Sequence, residues 1–195
     1  MGADLQPAYQ FHRTFLQHLQ SKCPGRWVLK APSHLAVLKS LFAVYPDARI
    51  IWTHRDPLKV IPSVASVLYA TARIRTDAVD PDSVLSWFTG ETCQSSLNAA
   101  HEFRTQAGIS PSQFHDVRYA DLMEDPIATL QNAYRHFGLD FSETAEKATR
   151  SYLAHKPKGK YGTHRYEFAE TGLDRGMERE RFSEYQNQYS VVSEI

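Results

Sequence analysis

Arg55 stands eight residues ahead of Ser63, where the apolar run "RIIWTH" gives way to Asp56-Pro57 and then to a second, helix-periodic stretch. A strand that turns directly into a helix brings backbone N–H groups and the positive end of the helix dipole together, an arrangement that binds anions. Arg55 would add a planar fork matched to phosphate oxygens, and Ser63, about two helical turns on, a neutral hydroxyl donor. Together they could grip one terminal phosphate. The same residues also fit a plain surface turn built on Arg55 and Asp56, with Ser63 filling a helix, and local features do not separate the two readings.

The remaining reactive side chains narrow the chemistry. None of the nine histidines falls in HExxH or another ligand spacing; His54 and His164 read as local hydrogen-bonding groups, and no metal is expected. Cys23 and Cys93 are far apart and belong to no CxxC, which suggests a reducing compartment and argues against a disulfide framework or a zinc cluster. No GxxxxGK[ST] occurs, since Gly159-Lys160 is followed by Tyr161, so a P-loop kinase or ATPase is disfavoured.

The elements that would carry these residues follow from periodicity. Phe11, Phe15 and Leu19 at four-residue spacing predict an amphipathic helix over 8–23, ended by Pro24-Gly25. Residues 27–30 read as a short buried strand. After Ala31-Pro32-Ser33, Leu35, Leu38, Leu41 and Phe42 repeat at helical spacing until Tyr45-Pro46-Asp47. Residues 48–53 form the clearest strand. Pro57 suits the first position of a helix whose apolar face is Val60, Ile61, Val64, Val67 and Leu68, with Pro62 kinking it. Beyond a polar connection over 75–82, a helix is expected at 84–103, a strand at 114–119, and helices at 127–137 and 143–155, the last with Ser142 as N-cap. A basic, glycine-rich stretch, "HKPKGKYGTHRYEF", precedes a charged helix over 177–189. Alternating strands and helices predict an α/β fold, a parallel sheet flanked by helices.

Composition sets outer limits. A chain of 195 residues, 42% apolar and 12% aromatic, can bury one sizeable core. Its 22 basic and 22 acidic residues cancel, so no global field draws it to nucleic acid or an anionic membrane. No apolar run reaches the roughly 18 residues of a membrane span, and no signal-peptide core opens the chain, so a cytoplasmic location is expected.

Four motifs occur in a telling order: Lys30-Ala31-Pro32-Ser33-His34, Arg55 with Ser63, "DVRYADLMEDP", and "PKGKYG". In this order they resemble the sulfotransferases that use 3'-phosphoadenosine 5'-phosphosulfate, in particular the bacterial-type branch, over the C-terminal half to two-thirds of that family. The resemblance implies a P-loop-NTPase-like sulfotransferase fold and a single domain over 1–195. Arg55 and Ser63 then bind the 3'-phosphate and Tyr119 contacts adenine. Lys158, Gly159 and Gly162 match a basic glycine loop that closes over the phosphate, with Pro157 where cytosolic members carry arginine. Lys30 matches a lysine that stabilises charge on the leaving oxygen, although an exposed strand-end lysine reads the same locally. His34 is a candidate general base or, alternatively, a helix cap; cytosolic members place their histidine two residues after the lysine, where Pro32 stands here.

The family's loop for the 5'-phosphosulfate is not found, so the expectation is an N-terminally truncated sulfotransferase, a fragment or a reduced relative. Its activity would be sulfuryl transfer from that donor to a hydroxyl or amine on a small molecule, glycan or lipid. The alternative is a non-catalytic module that keeps only the 3'-phosphate and adenine site. A missing strand would also leave an unpaired sheet edge open to self-association.

Overall fold

The computed structural model describes residues 4–80, 83–84, 86–106, 108–156 and 167–195. The chain divides into two compact units, Met1–Ile50 with Ser95–Gln113, and Ile51–Gln94 with Phe114–Ile195.

The first unit is helical. Helix α1, Gln6–Gln20, begins with Pro7 in its first turn, and the Asp4 carboxylate accepts from the Gln6 N–H at 2.9 Å. A 3-10 segment, Pro32–Val37, runs into α2, Leu38–Val44. Helix α1 packs on α2, and the buried side chains are Tyr9, Leu16, Leu38, Leu41, Phe42 and Val44. Phe42 meets Phe103, contributed by α4, Gly90–Thr105, with ring centroids 5.1 Å apart.

Two expectations fail in this unit. The stripe Phe11, Phe15 and Leu19 is exposed, at 75%, 50% and 47%; α1 buries Tyr9 and Leu16 instead. That face carries polar groups whose partners come from elsewhere in the chain, so apolarity alone pointed to the wrong side. Residues 27–30 form no strand, and Val28 is 90% exposed. A β-prone run becomes a strand only when a neighbour takes its backbone hydrogen bonds. Among the described residues the paired strands are two, and neither lies here.

Those strands are β1, Ile50–His54, and β2, Phe114–Arg118, in a parallel pair flanked by helices, which gives the α/β class expected. In the second unit α3, Pro57–Arg73, follows β1, while α5, Tyr119–Glu124, and α6, Pro126–His136, follow β2. Helix α7, Glu143–His155, starts as expected, with the Ser142 hydroxyl accepting from the Ala145 N–H at 3.2 Å. The single helix expected over 177–189 is two, α8, Arg175–Arg181, and α9, Ser183–Tyr189, hinged at the fully buried Phe182. Leu58 and Ile61 of α3 are fully buried too, and α3 packs on the 3-10 turn Phe168–Thr171 and on α8.

Candidate anion-binding site

Alternation along β1 decides what each residue of its end can do. Trp52 and His54 point inward and are buried. His54 Nε2 lies 2.9 Å from Asp116 Oδ1, and its Nδ1 lies 2.9 Å from the Tyr185 hydroxyl. A carboxylate accepts, so Nε2 donates; in the neutral imidazole Nδ1 then accepts the Tyr185 proton. The Tyr189 ring stacks on the imidazole, centroids 4.2 Å apart and 17° from parallel. Burial raises the Tyr185 pKa, which keeps this hydroxyl a donor. His54 is thus a structural tie between β1, β2 and α9.

Two residues on, Asp56 is fully buried and caps α3. Its Oδ1 accepts from the Leu58 N–H at 3.0 Å, and its main-chain oxygen accepts from Lys59 and Val60 at 2.9 and 3.1 Å. Pro57 has no N–H to give. The first turn of α3 therefore offers no spare backbone donors, which corrects the expectation that the helix terminus itself would cradle an anion. Any anion here must be held by side chains.

Arg55, between these two inward residues, supplies such a side chain. Its Nε donates to Glu194 Oε1 at 2.8 Å and its Nη2 to Glu194 Oε2 at 2.7 Å, a fork-to-fork pair. The guanidinium carbon sits 4.0 Å from the centroid of the Tyr119 ring, a cation–π stack. The pair is partly open to water, with side-chain exposures of 29% and 25%.

Behind it, Arg179 clamps the segment that carries Glu194. Arg179 Nη1 donates to Asp56 Oδ1 at 2.8 Å and to Gln186 Oε1 at 2.8 Å; Nη2 donates to Asp56 Oδ2 at 3.1 Å and to the Ile195 carbonyl at 2.8 Å. The Glu194 N–H donates to Asp56 Oδ2 at 2.7 Å. Burial alone would raise the Asp56 carboxyl, yet the Arg179 and backbone hydrogen bonds outweigh it and hold the carboxyl below its usual range.

Of the other expected site residues, Tyr119 is brought against Arg55, whereas Ser63 lies half-buried on the second turn of α3. Lys30 and His34 belong to the first unit. Lys30 is exposed and outside any regular element. His34 caps no helix; it sits within the 3-10 segment, and its Nδ1 lies 2.7 Å from the Tyr9 hydroxyl. Burial, with a smaller contribution from His12, lowers its pKa and favours the neutral imidazole. Lys158, Gly159 and Gly162 lie outside the described residues.

A cavity of about 340 Å³ opens beside β2, lined by Asp116, Asp121, Glu124 and Asp125 among others. Its acidic wall repels phosphate, so it is no rival for a nucleotide. Sequence reasoning missed Glu194, Arg179 and Tyr9. Asp56 was read only as part of a surface turn, although an aspartate before Pro57 is an N-cap signal that could have found it; Glu194 and Arg179 are more than a hundred residues away with nothing local to mark them.

Comparison with known proteins bears on the family and the fold. Residues 3–143 match the family described as the sulfotransferase family. Over 146 residues, 72% of the chain, it is 32% identical to the omega-hydroxy-beta-dihydromenaquinone-9 sulfotransferase Stf3 of Mycobacterium bovis and to that of Mycobacterium tuberculosis. The match covers 36% of those relatives, so the chain spans little more than a third of their length. Sulfotransferase STF9 from Mycobacterium avium superposes with a TM-score of 0.83 at 27% identity, covering 98% of this chain and 49% of that one. Sulfotransferase STF1 from Mycobacterium tuberculosis superposes with a TM-score of 0.69 at 32% identity, covering 93% and 46%. By its sequence over 3–143 and by its fold, the chain belongs to the sulfotransferase family.

Proposed function

We propose that the Arg55 site takes the 3'-phosphate of 3'-phosphoadenosine 5'-phosphosulfate, and that the chain serves a sulfotransferase moving a sulfuryl group to a hydroxyl or amine acceptor. The observation that carries this reading is the fork at Arg55, which already holds a two-oxygen anion through two short N–H bonds. Two phosphate oxygens present the same acceptor geometry.

On this reading Ser63 adds a hydroxyl to the phosphate, Tyr119 meets the adenine, and Lys158, Gly159 and Gly162 supply the loop that closes over the anion. The bound donor supplies the activated sulfuryl group. Lys30 neutralises charge that gathers on the leaving oxygen, and His34 accepts the proton of the acceptor. The base must be neutral to work, and the lowered pKa of His34 supports that role. A relative named for a hydroxylated dihydromenaquinone supports a hydroxyl acceptor on a small molecule or lipid.

Calorimetry with adenosine 3',5'-bisphosphate tests the reading. A charge-assisted hydrogen bond contributes roughly 1.5 to 3 kcal/mol, so Arg55→Ala should weaken binding about tenfold to a hundredfold. Ser63→Ala removes a neutral hydroxyl and should weaken it only about fivefold. Unchanged affinity in a folded Arg55→Ala protein defeats the assignment.

A further inference from the structure

The Arg55 fork is engaged by an anion that belongs to the chain itself. We infer that Glu194 is the resident counter-anion of this site, and that a 3'-phosphate binds by exchanging with the Glu194 carboxylate at the Arg55 guanidinium. The inference rests on the reading of Arg55 as the phosphate anchor and adds what controls its affinity and selectivity.

Three features make the contact an exchangeable one. The carboxylate uses Nε and Nη2 of Arg55, and two phosphate oxygens approaching along that edge need the same two donors, so both anions cannot hold it at once. The pair is about a quarter exposed on each side, within reach of a ligand from solvent. Finally, the segment is fastened by its main chain and not by this side chain. The Glu194 N–H bonds Asp56 Oδ2, and the Ile195 carbonyl accepts from Arg179. Glu194 can therefore swing out about its side-chain torsions while its backbone stays docked.

A tethered carboxylate competes at high effective concentration, and the apparent affinity of any incoming anion falls by the fraction of time the fork is occupied. The competition also selects. A phosphate monoester carries nearly two negative charges and displaces a single carboxylate charge, whereas weak monoanions do not. Glu194 thus reserves the site for the dianionic 3'-phosphate.

The test compares two probes, adenosine 3',5'-bisphosphate and adenosine 5'-monophosphate, by calorimetry on wild type, Glu194→Gln, Glu194→Ala and Arg55→Ala. Glu194→Gln keeps the shape and the backbone bonds and removes the charge. It should tighten the bisphosphate about five- to thirtyfold, the range set by a partly buried fork-to-fork ion pair, and leave the 5'-monophosphate unchanged. Glu194→Ala should do the same, which guards against a residual amide contact. If Arg55→Ala weakens the bisphosphate but neither Glu194 variant tightens it, the exchange is refuted and the anchor stands. Equal tightening of both probes reduces the effect to general charge and also refutes the exchange. If Arg55→Ala changes nothing, the anchor reading fails and the exchange with it.

Discussion

The loss of Asp56 should cost this protein heavily, and its size can be worked from its contacts. Its carboxylate, fully buried, takes the Leu58 N–H, both Arg179 amino groups and the Glu194 N–H. Asp56→Ala removes all four acceptor contacts. Losing an N-cap costs about 1 kcal/mol. Removing one partner of a buried ion pair costs about 3 to 5 kcal/mol, reduced here to about 2 to 4 because 27% of the Arg179 side chain still meets water. The sum is about 3 to 5 kcal/mol. At about 2 to 4 °C per kcal/mol for a chain of this size, Tm falls by about 6 to 20 °C. The sign of the pH dependence follows from the depressed carboxyl. A group whose folded pKa is lowered contributes fully above its unfolded value, about 3.9 for aspartate, and loses that contribution as pH falls through the folded value. Urea unfolding across pH should therefore give a constant gap between wild type and Asp56→Ala from pH 7 down to about pH 5, narrowing below about pH 4. A gap under about 1 kcal/mol at neutral pH, or one that does not narrow in acid, would refute the clamp.

Two further outcomes rest on the helix α4 region. Burial, reinforced by the Glu178 carboxylate, pushes the Cys93 thiol up to about 12, whereas Cys23 is exposed; Ellman's reagent should titrate one thiol quickly in the native protein and the second only on unfolding, and two fast equivalents would contradict the packing around Cys93. A Cβ on Gly90 would overlap the Glu178 carboxylate, itself buried and held by Arg181 at 3.0 Å, so Gly90→Ala should lower stability by about 1 to 3 kcal/mol in urea unfolding, where alanine in an open helix would raise it.

What was legible in the sequence was what short stretches decide alone. Pro57 opens α3 because its missing N–H would have had no partner there, and Ser142 caps α7 because its hydroxyl meets the Ala145 N–H three residues on. The face of α1 was misread because Tyr9 and His12 look polar in isolation. Their polar atoms are satisfied by His34 and Tyr45, at 2.7 and 2.8 Å, and that satisfaction is what permits Tyr9 to be buried and His12 to be half-buried. Residues 27–30 were misread for the opposite reason: their composition favours a strand, but pairing is decided elsewhere. At the site, the cation was legible and its anion was not, since Glu194 lies 139 residues from Arg55.

The sequence His54-Arg55-Asp56-Pro57 divides its labour by direction. Successive residues leaving a strand point to opposite sides, and burial follows that rule: His54 and Asp56 are buried, while Arg55 between them is half-exposed. The inward histidine ties β1 to Asp116 and Tyr185. The inward aspartate takes the Leu58 N–H and anchors Arg179, and proline begins the helix without an N–H to waste. With the donors of the first turn of α3 thus spoken for, what this corner offers an anion is one outward guanidinium, its carbon 4.0 Å from the centroid of the Tyr119 ring. A planar fork favours two coplanar oxygens over a point charge, which is the selectivity the proposed phosphate site would have. A single bidentate donor can be held by a single bidentate acceptor, and in this structure that acceptor is the Glu194 carboxylate.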